Sequence, residues 1–170
     1  MKEAKGNMLE VDCDAVVVTT NGFVKKDGAN VMGRGIAKQV ATVIPQLPYD
    51  LGEMLNKYGN QVHVFQYDGI DETIVTFPVK PFSYVNDGTN VVSHMTNQFK
   101  IGAQVPGFAI KAQVHLIEQS LKELVNLTNT MGWNNVICPR FGCGAGELKW
   151  EDIKPLAEKY LDDRFTVYTF

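Results

Sequence analysis

Twice this chain passes from an apolar strand pattern, through a glycine-rich loop, directly into a helical pattern. The first passage starts at Val16-Val17-Val18-Thr19-Thr20 and runs through Asn21-Gly22, Lys25, Lys26, Asp27 and Gly28. It reaches Val31-Met32-Gly33-Arg34-Gly35-Ile36-Ala37, and Ile36, Val40, Val43 and Ile44 then share one helical face. The second leads from Val136-Ile137-Cys138 into Pro139-Arg140-Phe141-Gly142-Cys143-Gly144-Ala145-Gly146-Glu147-Leu148-Lys149-Trp150, followed by a helical pattern that begins with acids. If both strands belong to one parallel region, both loops open at the same sheet edge, where open α/β sheets bind ligands. Glycine backbone can approach a ligand closely, and helix N-termini favour phosphate. A plain tight turn is the competing reading of either loop alone. Neither is a nucleotide signature: there is no Gly-x-x-x-x-Gly-Lys-[Ser/Thr], and no Gly-x-Gly-x-x-Gly followed by a distant acid.

The remaining periodicity fills in the layers. It predicts a weak strand over residues 1–6 and a strand from Ala15 to Thr20 that is apolar on both faces, hence central. A helix is expected from Gly33 to Ile44, stopped before Pro45, and another from Pro48 to Tyr58, closed by Gly59. Val62–Tyr67 and Thr73–Val79 read as a hairpin. Residues 81–106 carry no period and include Phe82, Tyr84 and Phe99, which suggests a lid or a selector for the group attached to the ligand, with a mobile insertion packed on the surface as the alternative. A long helix is expected from Gly107 to Met131, with Ile110, Val114, Ile117, Leu121, Leu124 and Val125 on its buried stripe. Pro155 fits the next helix if that helix starts near Ile153, after a turn at Trp150–Asp152. Phe165–Phe170 is the closing strand. Strands alternating with helices give an α/β chain, a three-layer α/β/α sandwich around a mixed, mostly parallel sheet of about six strands. No repeat or linker interrupts residues 1–170, so a single domain is expected.

Composition narrows the function classes. A formal charge of −3 argues against an electrostatic nucleic-acid binder, though not against a nucleotide-sized ligand. No apolar run is long enough to span a membrane, and Met1-Lys2-Glu3-Ala4-Lys5 lacks the apolar stretch of a signal peptide, so a cytoplasmic monomer is expected. Cys13, Cys138 and Cys143 have no metal-type spacing, and no metal or cofactor is expected. Cys143 could be mistaken for a nucleophile, but no histidine lies near it in sequence. Lys25, Lys26, Arg34 and Lys38 lie in or beside the first loop. Lys25 and Lys26 also fit a solvated basic loop, whereas Arg34, between two glycines, is expected to face the ligand mouth. His63 and His115 read as structural, and His94 is left open.

Five pieces in chain order carry a resemblance. They are Gly6-Asn7-Met8-Leu9, Asn21 with Val31–Ala37, Phe77-Pro78-Val79-Lys80, Pro139–Trp150 and Phe165–Phe170. Together they resemble the macro domain, an ADP-ribose-binding α/β/α module. The resemblance is closest to the branch of terminal ADP-ribose glycohydrolase and the DNA ADP-ribosyl glycohydrolase antitoxins. It implies that Asn7 receives the adenine amino group, where the family usually has Asp. It implies that Asn21 contacts the distal ribose, as the second Asn of an Asn-x-x-Asn loop whose first position is Val18 here. It implies that Gly33, Arg34, Gly35 and Ile36 form one phosphate loop, and Gly142, Cys143, Gly144, Ala145 and Gly146 the other. Tyr168 or Phe170 would flank adenine or belong to the core. Lys80 falls on the family's catalytic Lys, which acts at the anomeric carbon of the distal ribose. Gly146 stands where the terminal glycohydrolase uses Asp and the antitoxins resemble this chain in carrying Gly; Glu147 is not assigned that acid role. The implied function is an ADP-ribosyl glycohydrolase that removes ADP-ribose from a modified target. A non-catalytic reader or sponge and an ADP-ribose 1''-phosphate phosphatase are the alternatives. The implied partner is ADP-ribose or an ADP-ribosylated substrate, with nucleic acid only as a modified substrate.

Overall fold

The computed structural model describes residues 1–170. Its centre is β2 (Ala15–Asn21), where every residue except Thr19 is buried. Its β-branched residues suit a strand covered on both sides. β2 pairs in parallel with β4 (Ile70–Lys80) on one side and β7 (Val136–Pro139) on the other. Beyond β7 come β8 (Phe165–Thr169) and then β1 (Lys2–Lys5), both parallel, and β3 (His63–Tyr67) closes the far edge antiparallel to β4. The six-stranded order is β1-β8-β7-β2-β4-β3. The expected mixed, mostly parallel sheet is therefore present.

The period-two alternation of the strands divides the core between two faces. Val17, Val75 and Phe77 face α3 (Val114–Met131) and α4 (Trp150–Tyr160), packing with Ile117, Leu121, Leu124, Phe141, Ile153 and Ala157. The Phe77 and Phe141 rings stack there at 4.6 Å. Val16, Val18, Ile74 and Ile137 face α1 (Gly35–Val43) and α2 (Leu47–Tyr58), meeting Ile36, Val40, Leu51 and Leu55. Each buried Val, Leu, Ile or Phe among them contributes about 1.5–3 kcal/mol by leaving water. No helix is long and apolar enough to cross a membrane.

Three expectations need correction. Residues 81–106 are not patternless: β5 (Ser83–Val85) and β6 (Gln104–Pro106) pair antiparallel, and Ser93–Gln98 form a 3-10 turn between them. A small core of Val91, Val105, Ala109 and Ile110 lies under this region. The long helix α3 begins at Val114, not at Gly107, because tertiary partners take the backbone donors that a helix would need. The N–H groups of Lys111, Ala112 and Gln113 donate to the carbonyls of Asn90, Gly146 and Val79. Ile110 is buried outside the helix, while Val114, expected on the buried stripe, is 51% exposed. α4 begins at Trp150, ahead of the expected start, since the Lys149 carbonyl accepts from both Asp152 and Ile153. Pro155 sits inside this helix. It leaves the Glu151 carbonyl without its helical donor, on a face where both residues are exposed.

Candidate functional site

Four parallel strands, β8, β7, β2 and β4, end along one edge, and a cavity of about 740 Å³ runs along it. Strand ends contribute Thr169, Pro139, Thr20, Asn21 and Lys80 to its lining. With neighbouring strands about 4.8 Å apart, the four span roughly 15 Å, the length of a dinucleotide-sized slot. The loop after β2 and the loop after β7 both border its middle, and Gly33, Arg34, Gly35, Ile36 and Gly142 to Gly146 all line it. α1 opens directly into the slot: Gly35, Ile36 and Ala37 are its first residues and lie in the lining. The donors of a first helical turn have no intrahelical partner, so this end suits an anion.

The glycines of these loops divide into two kinds. A Cβ on Gly35 or Gly144 would meet nothing within 4 Å, and one on Gly33 only the Val31 Cγ1 at 3.9 Å, an ordinary contact, so these backbones are open to a ligand. A Cβ on Gly146 would lie 2.5 Å from the Gly142 carbonyl oxygen and 2.6 Å from the Ala112 methyl. Gly142, at φ +72°, is similarly pressed against Ala112 and Ile117. An acid at position 146 is therefore incompatible with this loop as it is packed.

Lys80 ends β4, and a bulge between Thr20 and Asn21 brings Asn21 opposite it. Lys80 is only 7% exposed, and its Nζ donates to the Phe108 carbonyl at 3.1 Å. Burial lowers its pKa to about 8; Arg34 pushes the same way and Glu147 pulls back. Asn21 lines the slot, but its amide serves the first loop. Nδ2 donates to the Val31 carbonyl at 2.8 Å, while Oδ1 accepts from Phe23 N–H at 2.9 Å and Asn30 Nδ2 at 3.1 Å. Asn7 is not brought to the slot: its Oδ1 accepts from Leu9 N–H at 3.1 Å and caps the short 3-10 turn Met8–Glu10. Cys143 lines the slot with a thiol that burial pushes up to about 11, unsuited to nucleophilic work at neutral pH.

No protein-family model matches the sequence, and no curated protein does. Solved structures do match. The macrodomain of Mycobacterium tuberculosis DarG superposes with a TM-score of 0.71 over 99% of this chain and 97% of that one, at 20% identity. The macrodomain of Thermus aquaticus DarG gives 0.71 over 99% and 96%, also at 20% identity. Thermosipho africanus DarTG in complex with ADP-ribose gives 0.70 at 18% identity, covering 98% of this chain and 41% of that one. The chain has the macrodomain fold.

Within this macrodomain fold, several lining residues carried no assignment in the sequence. His94 and Met95 come from the 3-10 turn, and Phe108 from the segment before α3. Arg34 Nη1 lies 2.8 Å and 3.0 Å from the two ring nitrogens of His94. Trp150, Tyr168 and Phe170 form the end of the slot remote from Lys80 along the strand order β8-β7-β2-β4. The Arg140 guanidinium lies 5.5 Å from the Trp150 ring, and Trp150 Nε1 donates to Glu3 at 2.8 Å. Arg140 and Trp150 sit inside the second glycine motif, where their types could have flagged them. Nothing local marks His94, since it reaches the slot through a segment without periodicity.

Proposed function

We propose that the protein binds ADP-ribose along this slot and hydrolyses the bond between the distal ribose and a modified target. One observation carries the reading: Lys80, a buried amine with its pKa lowered to about 8, stands at one end of a slot with two open glycine loops at its middle. The diphosphate would lie between the loops and the N-terminus of α1, and adenine would lie against the aromatic end. About one molecule in ten then has a neutral Lys80 at pH 7. The ligands of the compared complex, with ADP-ribose bound to Thermosipho africanus DarTG, support the same ligand class.

The chemistry follows from a neutral amine at the anomeric carbon. Nζ adds to that carbon as its bond to the target breaks, and the target leaves with the proton that Nζ gives up. The ribose ring then opens: the nitrogen lone pair forms an imine and the ring oxygen takes the second amine proton. Water adds to the imine and the carbon–nitrogen bond breaks. Free ADP-ribose and Lys80 are regenerated, and one water is consumed overall.

A second reading, a binder that does not turn over, is favoured by a specific observation. No Asp or Glu lines the slot, and Gly146 cannot take one without repacking. Borohydride added to the wild type with ADP-ribose distinguishes the two readings. The hydrolase reading expects a mass increase on the peptide containing Lys80, and release of ADP-ribose from modified DNA or protein. Lys80→Ala should abolish release while leaving ADP-ribose affinity within a few fold, because the nucleophile acts mainly in the transition state. Lys80→Arg should fail to restore release, since a guanidinium stays protonated. No adduct and no release, with calorimetric binding intact, would leave the binder reading. Equal affinity for ADP-ribose and AMP would sink both.

A further inference from the structure

The second glycine loop is tied to the 81–106 segment by one side chain. Glu147 is the only non-glycine residue with positive φ, at +62°, a conformation that L side chains adopt at a cost. Its carboxylate grips Ser93 twice: Oε2 accepts from the Ser93 N–H at 2.7 Å and Oε1 from the Ser93 hydroxyl at 2.7 Å. Burial disfavours its charge, but the two Ser93 bonds, Lys111 and Lys80 outweigh burial and hold the carboxyl below the usual range. The next residue, His94, meets Arg34 of the first glycine loop. Residues 93 and 94 thus bridge the two loops that flank the slot, and His94 and Met95 are part of its wall.

What holds this bridge differs from what holds its ends. Val91 and Val92, just before it, are buried at 4% and 1% exposure, and Phe99, just after it, is half-buried. No residue of Ser93–Gln98 is buried. The segment is flanked by packed residues, and its first three residues are held by Glu147 at Ser93, by Arg34 at His94 and by the partial packing of Met95. An anion that enters the first loop competes with His94 for Arg34. The Glu147–Ser93 pair is then the polar contact that keeps the bridge down, beside the packing of Met95.

We infer that residues 93–98 are a strap across the mouth of the slot, that Glu147 is its latch, and that ligand enters and leaves when the latch opens. Glu147 is on this view a positioning residue: it touches Ser93, not the reacting atoms. The choice of ADP-ribose as the entering ligand rests on the proposed function; the latch itself does not.

The test therefore has one arm without ligand. Hydrogen exchange should show the Ser93 amide protected in the wild type and unprotected in Glu147→Gly, with the sheet amides unchanged. Glycine is chosen because φ +62° suits it, so that variant keeps the loop while losing the latch. A freely exchanging Ser93 amide in the wild type overturns the proposal. The second arm is rapid mixing with ADP-ribose, followed by the fluorescence of Trp150, which lines the slot. Glu147→Gly and Ser93→Ala should each speed association and dissociation by about tenfold, the scale of a lost charge-assisted hydrogen bond, leaving Kd nearly unchanged. Unchanged rates, or faster dissociation alone with a weaker Kd, would overturn the gating role. If the exchange pattern holds and ADP-ribose gives no signal, the ligand assignment fails and the latch stands.

Discussion

Lys80 is expensive for the fold, and that expense is measurable. Its pKa falls from 10.5 to about 8 because burial disfavours the ammonium. The folded protein therefore holds fewer protons on this group than the unfolded chain between those two values, and stability rises with pH across that window. Below pH 8 the penalty is fully present; above 10.5 it is gone. The fall corresponds to about 3 kcal/mol, and removing the amine would also forfeit its bond to Phe108, about 1 kcal/mol. Lys80→Met should thus stabilise the protein by on the order of 2 kcal/mol at pH 7, and by much less at pH 10. Denaturant melts at the two pH values check this, and an equal gain at both would show that Lys80 is not the titrating group. For the proposed hydrolysis, kcat/KM should climb as pH rises towards about 8 and level off above it, because it reports the free enzyme's amine. Lys80 was legible in sequence as a lysine after a strand. Its burial was not, since that depends on Phe108 and on the segment that folds over it.

The second glycine loop separates ligand space from packing space within three residues. Gly144 has no neighbour that a Cβ would meet and Gly146 has two. Gly144→Val should fold with little change in Tm and lose ADP-ribose binding, as calorimetry would show; full binding would mean the ligand lies elsewhere. Gly146→Ala should lose about 1–3 kcal/mol by overpacking, whatever it does to the ligand. Sequence spacing displayed both glycines but not this difference, which arises from Ala112 and Gly142 across the loop. In α4, Pro155 withholds a helical hydrogen bond in the second turn. Pro155→Ala should raise stability by about 1 kcal/mol or more, the backbone gain being partly offset by the freer unfolded chain. An unchanged melt would show that the turn is held by its packing alone. α3 teaches the opposite lesson: residues 107–113 have a helical pattern, yet the donors of Lys111, Ala112 and Gln113 go to Asn90, Gly146 and Val79.

Across the whole molecule, the slot sits between the two sheet-spanning loops, so its ligand should stabilise the chain globally. ADP-ribose at about a hundredfold over its Kd should add about 2.7 kcal/mol, or roughly 5–10 °C in Tm, and AMP should add less. A thermal melt with both ligands tests this, and no shift with either would remove ADP-ribose as the ligand. The layered architecture was legible in the sequence because two periods, near 2 and near 3.6, alternate along it and each period commits an element to one buried face. Val16 and Val17 face opposite layers for that reason alone. The two glycine loops were legible too, because glycine between a strand and a helix has few uses. Only the tertiary structure decided which partners met. Asn7 was spent on capping Leu9, Asn21 on holding the first loop, and Glu147 on gripping Ser93 fifty-four residues earlier. Such hydrogen bonds join polar groups whose sequence separation carries no period, so no local pattern records them, and the fold alone brings them within reach.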